Sequence, residues 1–148
     1  MRKKIEYVLE YREEGEQKET TINIDFVSNR VLRDFSNLLV LSEKAQSAYD
    51  RISDINTIIA GEEITEDEIK KYREESENCL KQIMEFNENG YFEKRSEILS
   101  RLLVDNGYKN DRMLMNNDFW EECVEPSDLM GFMTKAVYKD TDQKKKRQ

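Results

Sequence analysis

The chain has 148 residues, 37% hydrophobic and 38% charged, with 5 Gly, 1 Pro, 2 Cys, no His and a formal net charge of −8. That length is enough for a hydrophobic core without metal or disulfide staples, and the aromatic content (one Trp, seven Tyr, six Phe) is too high for a disordered chain. Without His, Ser/His and Cys/His nucleophile sites and His-based metal triads are excluded, so the composition argues against an enzyme.

So little Gly and Pro favours a few long helices over many short strands. The expected fold is mostly α: an N-terminal β-hairpin over residues 1–27, then an elongated bundle of about four to five helices over 28–139, then a basic disordered tail over 140–148, all one domain. Cys79 and Cys123 form no CxxC pair and suggest a reducing compartment. No apolar run is long enough for a signal peptide or a membrane span.

Charge is unevenly placed. Three bases lie within residues 1–4, and Lys144, Lys145, Lys146 and Arg147 close the chain. Removing these seven from 24 bases leaves 17 against 32 acids, so residues 5–143 carry −15. A body this acidic repels phosphate, which argues against nucleic acid as a partner.

From Lys4 to Tyr11, apolar Ile5, Tyr7, Leu9 and Tyr11 alternate with polar residues, the period of a half-buried strand. Thr20, Ile22, Ile24 and Phe26 repeat it after a polar stretch, Arg12 to Glu19, that contains Gly15. The pair predicts a hairpin whose apolar face needs cover from helices or another subunit.

A Ser28 or Asn29 cap then opens a helical segment ending at Gly61. Val31, Phe35, Leu38, Ser42, Ala45, Tyr49, Ile52, Asn56 and Ile59 follow a heptad stripe. One continuous helix here would be about 45 Å long, part of it projecting or packing on a neighbour. A break near Ser42 would give two ordinary helices instead.

Thr65 and Glu68 form a capping box, with Ile64 and Ile69 as its hydrophobic staple. Tyr72, Cys79, Leu80, Ile83 and Phe86 continue that helix, and Gly90 stands where a left-handed C-terminal cap belongs. A third helix runs from about Phe92 to Val104 and stops at Asn106-Gly107. Asn117 or Asp118 caps a short turn with Phe119, Trp120 and Val124. Pro126 begins a last helix that buries Leu129, Met130, Phe132, Met133, Ala136 and Val137.

Candidate chemistry is sparse. Glu85 to Gly90 echoes a calcium loop, but its first position is Glu rather than Asp and its twelfth is Ser96 rather than Glu. A helix end followed by a helix start accounts for the same residues. Adjacent acids such as Glu62-Glu63 and Glu74-Glu75 suit solvated i, i+4 pairs, and the isolated glycines form no phosphate loop. No catalytic residue, metal or cofactor is expected. Met113, Met115, Met130 and Met133 lie near Phe119, Trp120 and Phe132 in sequence. They suit either core packing or an adaptable site for apolar helices, and the heptad stripe leaves the same two options.

The ordered series of a hairpin, a helical body, Ile98-Leu-Ser-Arg-Leu-Leu103, Asn117-Asp-Phe-Trp-Glu-Glu-Cys-Val-Glu-Pro-Ser-Asp-Leu-Met130 and a Lys-rich end resembles the tail assembly chaperones of long-tailed bacteriophages. Those of phages infecting Gram-positive hosts, including the lactococcal type, are most similar. Only Phe119 to Phe132 approaches a motif, and Phe119-Trp120 replaces the Trp-Trp pair frequent in that family.

The resemblance implies a non-enzymatic late protein of the host cytoplasm, absent from the mature virion. It would bind the tape measure protein, keep it soluble, assist the major tail protein and self-associate into spirals. It also implies that the Lys144 to Lys146 run marks a ribosomal frameshift site, with a plain solubilising tail as the alternative. Phe35, Leu38, Tyr49, Phe119 and Trp120 are the residues expected at client, subunit or core contacts. An acidic inhibitor that mimics DNA and a generic helical adaptor are the competing readings.

Overall fold

The computed structural model describes residues 4–61 and 63–138. About two thirds of them are helical, after an N-terminal antiparallel hairpin. The elements are β1 (Ile5–Glu13), β2 (Glu16–Ile24), α1 (Asn29–Gly61), α2 (Glu66–Glu88), α3 (Tyr91–Asp105), α4 (Asn117–Glu122) and α5 (Pro126–Val137). The expected basic tail over 140–148 lies outside the described residues.

The strands run further than alternation predicted. Pairing continues from Ile5↔Ile24 to Glu13↔Glu16, which reduces the polar stretch to a two-residue turn. Glu14 and Gly15 both have positive φ, 53° and 80°, as a type I′ turn requires. Alternation of apolar residues stops at Tyr11 because the distal half of the hairpin is exposed on both faces. Backbone pairing and polar links such as Lys18 to Glu13, 3.3 Å, hold that part.

Helix α1 is one uninterrupted element of 33 residues, so the predicted alternative of a break near Ser42 does not occur. The Ser28 hydroxyl accepts the Val31 N–H at 3.1 Å and supplies the cap. The stripe holds through Val31, Phe35, Leu38 and Ala45, but further along Ala48 and Ile55 are buried while Tyr49 and Asn56 are exposed. At about 3.6 residues per turn Tyr49 stays in line with Val31 and Ala48 lies more than a quarter turn away, so the buried face changes because Ala48 packs on Cys79 and Ile83 of α2.

The described residues form two compact units, one of residues 4–35 with 95–138, the other within residues 36–94. In the first, Ile5, Leu9, Ile22 and Ile24 of the hairpin are buried, as are Leu129, Phe132, Met133, Ala136 and Val137 of α5. The Tyr7 and Phe132 rings meet at 5.2 Å. Met130, expected among the buried residues, is only half-buried.

The loop after α3 fastens the end of the hairpin. Asn106 Oδ1 accepts the N–H groups of Asp25 and Phe26 at 2.9 and 3.0 Å. Its Nδ2 donates to the carbonyls of Phe26 and Leu102 at 2.8 and 2.7 Å, which uses both donors and both lone pairs of the amide. The Tyr108 hydroxyl accepts the Asn23 N–H at 2.7 Å. Gly107 takes φ 90° where α3 was expected to stop.

In the second unit Ala48, Cys79 and Ile83 form a small core with Ile52 against it. Thr65 caps α2 as its capping box predicts, its hydroxyl accepting the Glu68 N–H at 3.2 Å. Gly90, at φ 73°, follows the C-cap Asn89, so the calcium-like stretch is a helix end followed by a helix start. The cap of α4 is Asn116, one residue before the expected pair, with Oδ1 accepting the Asp118 N–H at 3.0 Å.

Three substitutions test these local assignments by urea unfolding. Glu14→Asn should stabilise the protein by about 0.5 kcal/mol, and Gly15→Ala should cost about 1–2 kcal/mol, because only the former suits positive φ. Thr65→Ala should lower stability by about 1 kcal/mol through loss of the cap.

Candidate functional site

The segment around Phe119 and Trp120 is packed into the first unit. Asn116 starts α4 and Pro126 occupies the first turn of α5, so two short helices follow each other with Cys123 to Glu125 between them. The turn brings Trp120 over Phe132, rings stacked at 5.8 Å and 18°. Phe119 meets Tyr11 of β1 edge-on at 5.1 Å. The Arg12 N–H donates to the Cys123 carbonyl at 2.8 Å, which ties the strand to the same turn.

Trp120 is 3% exposed, and its indole N–H donates to the Leu114 carbonyl at 2.7 Å. Arg95 of α3, also buried, reaches Glu121 at 3.1 Å. At Tyr7, burial first and then the Asp128 and Glu10 carboxylates push the phenol above its ordinary range. The Lys135 ammonium lies 5.9 Å from the centre of the same ring.

Beside Trp120 an open groove of about 630 Å³ runs along the first turns of α1, α3 and the loop before α4. Val31, Leu103, Leu114 and Trp120 contribute apolar walls, and Arg30, Asp34, Arg101 and Asp105 bring both signs of charge. Mixed charge around an apolar wall suits a polypeptide surface better than a small anion. Among the described residues no group of three or more Cys, Asp or Glu is placed to hold a metal ion. No helix among them is long and apolar enough to cross a membrane.

Of the five residues expected at contacts, Phe35, Leu38, Phe119 and Trp120 are buried, and Tyr49 is 53% exposed. Phe119 and Trp120 are in ring contact at 5.4 Å, whereas Phe35 meets Tyr138 at 5.8 Å. Leu80 was expected on the apolar side of α2, yet it is 51% exposed, with Met84 one turn on at 57%. Helical spacing alone could not sort these two from Cys79 and Ile83, because both pairs are four residues apart.

Residues 36–94 hold 14 acids and 7 bases, a net charge of −7, and the rest of residues 5–143 carries −8, so the acidity is shared between the two units and only the seven bases near the two ends bring the remainder to −1. Arg51 and Glu75 join α1 to α2, and the hydrogen bond from the guanidinium holds the Glu75 carboxyl below its ordinary range. At this exposure the pair adds little to stability.

The indole anchor gives a direct test. Trp120→Phe deletes the donor to a buried carbonyl and leaves a small void, so it should cost about 2–3 kcal/mol. Thermal unfolding followed by circular dichroism measures this, since the substitution also removes the chain's single Trp.

Comparison with protein-family models, curated proteins and solved structures finds no match to this chain.

Proposed function

We propose that this protein is a tail assembly chaperone of a long-tailed bacteriophage, a non-enzymatic helical adaptor that binds the tape measure protein and keeps it soluble. The major tail protein then polymerises around that complex in the host cytoplasm, and the chaperone is left out of the virion. The reading is carried by the likeness of the Asn117 to Met130 segment to that family, in its place after a hairpin and a helical body. Half-exposed apolar side chains on α1 and α2, in an acidic unit, support it physically. A long helical client exposes apolar stripes that aggregate, and an acidic adaptor that covers them keeps the complex in solution.

The negative charge also suits the competing reading of a DNA-mimicking inhibitor. Such a protein would form a stable monomer or dimer and bind a basic nuclease, with no effect on a tape measure protein.

Co-expression of this chain with the tape measure protein from neighbouring genes tests the proposal. The client should move from the pellet to the supernatant and co-purify with this protein. A client equally insoluble with and without it would reject the reading.

A further inference from the structure

The chain repeats one tripeptide where two successive helices end. Asn89-Gly90-Tyr91 follows α2 and Asn106-Gly107-Tyr108 follows α3, each preceded by an acid, Glu88 or Asp105. No other glycine of the chain follows an asparagine. Both glycines take positive φ, 73° and 90°. Covalent surroundings and glycine conformation therefore match, and a difference in reactivity between the two must come from the contacts each one makes.

An asparagine before glycine can react with its own backbone, because the following nitrogen is not hindered by a Cβ. The Gly nitrogen attacks the Asn Cγ, and the new N–Cγ bond closes a succinimide ring. The Cγ–Nδ2 bond breaks, and ammonia leaves with the proton of the attacking N–H. Water then opens the ring at either carbonyl, which gives aspartate or, where the backbone now runs through Cγ, isoaspartate. The sum exchanges an amide and water for a carboxylic acid and ammonia, with no oxidant or catalyst. What it requires is a backbone nitrogen free to turn towards Cγ and a side-chain amide free to receive it.

The two sites differ on both counts. Asn89 is exposed, and neither its side-chain amide nor the Gly90 N–H has a hydrogen-bond partner among the described residues. At the other site the Gly107 N–H donates to the Val104 carbonyl at 3.1 Å. Both donors and both lone pairs of the Asn106 amide are held by Asp25, Phe26 and Leu102. Attack at Asn106 needs this clasp to open first, with the loss of those bonds. We infer that Asn89 is a site of spontaneous deamidation in the folded chain, and that the hairpin clasp withholds Asn106 from the same reaction. The product at Asn89 adds a negative charge at the carboxyl end of α2, where the helix dipole disfavours it, and isoaspartate lengthens the backbone where α3 begins.

Incubation of the full chain in warm, mildly alkaline buffer tests this. Peptide mapping by mass spectrometry follows the exchange of amide for carboxyl at each asparagine, and labelling by an isoaspartyl methyltransferase detects the isoaspartate. In the folded chain Asn89 should convert at least about tenfold faster than Asn106. In urea, where the clasp is gone, the two rates should draw level. Asn89→Gln, at an exposed position and with a side chain that would have to close a larger ring, should remove most of the methyl labelling of the folded chain. Comparable rates at the two sites in the folded chain overturn the proposal, as does an Asn89 that converts in urea alone. A preference for Asn89 that persists unchanged in urea also overturns it, since the sequence and not the fold would then set the difference.

Discussion

A two-stranded hairpin cannot stand alone in water, and that constraint organises the first unit. Its apolar face, Ile5, Leu9, Ile22 and Ile24, is nearly free of solvent contact, and each such side chain contributes about 1.5–3 kcal/mol when fully buried. The cover comes from the far end of the chain, in Phe119, Phe132 and their neighbours on α4 and α5. Loop-closure cost grows slowly, about 0.6 kcal/mol per doubling of length, so roughly a hundred intervening residues are tolerable. What such a contact does require is fixed register, because a slip of one residue would turn the apolar side chains outward. The Asn106 amide, the Tyr108 hydroxyl and the Arg12 to Cys123 bond supply it at three points along the strands.

The second unit is built on a different compromise. Its core is made from small or modest side chains, Ala48, Cys79 and Ile83, which let two helices approach closely but bury little area. Helix stability there relies on local devices: the Thr65 cap, the acids Glu66, Asp67 and Glu68 in the first turn of α2, and the Gly90 terminus. Acids at the amino end suit the helix dipole. A layer of two helices also leaves each helix with flanks that no other element of the unit has to cover, and Tyr49, Leu80 and Met84 lie there.

The sequence carried the local structure wherever one residue type does a job that few others can. Thr65 with Glu68, Gly90, Gly107 and Pro126 each stand at the boundary their chemistry predicted. The hairpin was legible in its apolar half and obscure in its polar half, because backbone pairing between exposed strands leaves no trace in hydropathy. Long-range polar contacts were also hidden: nothing local to Asn106 reveals that its amide binds Asp25 and Phe26. On α1 the heptad stripe misleads beyond Ala45, because Ala48 rather than Tyr49 packs on Cys79 and Ile83, and nothing local to α1 fixes on which side its partner helix lies. The exposure of Leu80 and Met84 was illegible for a related reason, since they share their spacing with the buried pair beside them and only the direction of the neighbouring helix separates the two.

The uneven charge becomes intelligible in the same terms. A net −8 spread evenly would be an ordinary solubility device. Here residues 5–143 carry −15, shared as −7 over the 59 residues from Ser36 to Lys94 and −8 over the rest, and the seven bases near the two ends offset about half of it. Five of the nine exposed large apolar side chains among the described residues also fall there: Val40, Tyr49, Leu80, Met84 and Phe92. Apolar exposure favours association of any kind, and concentrated like charge raises its cost between identical copies while lowering it for a partner of opposite sign. Acidity spread over both units therefore opposes association of identical copies while the exposed apolar side chains favour contact, and the balance between the two falls to the surface around each apolar group.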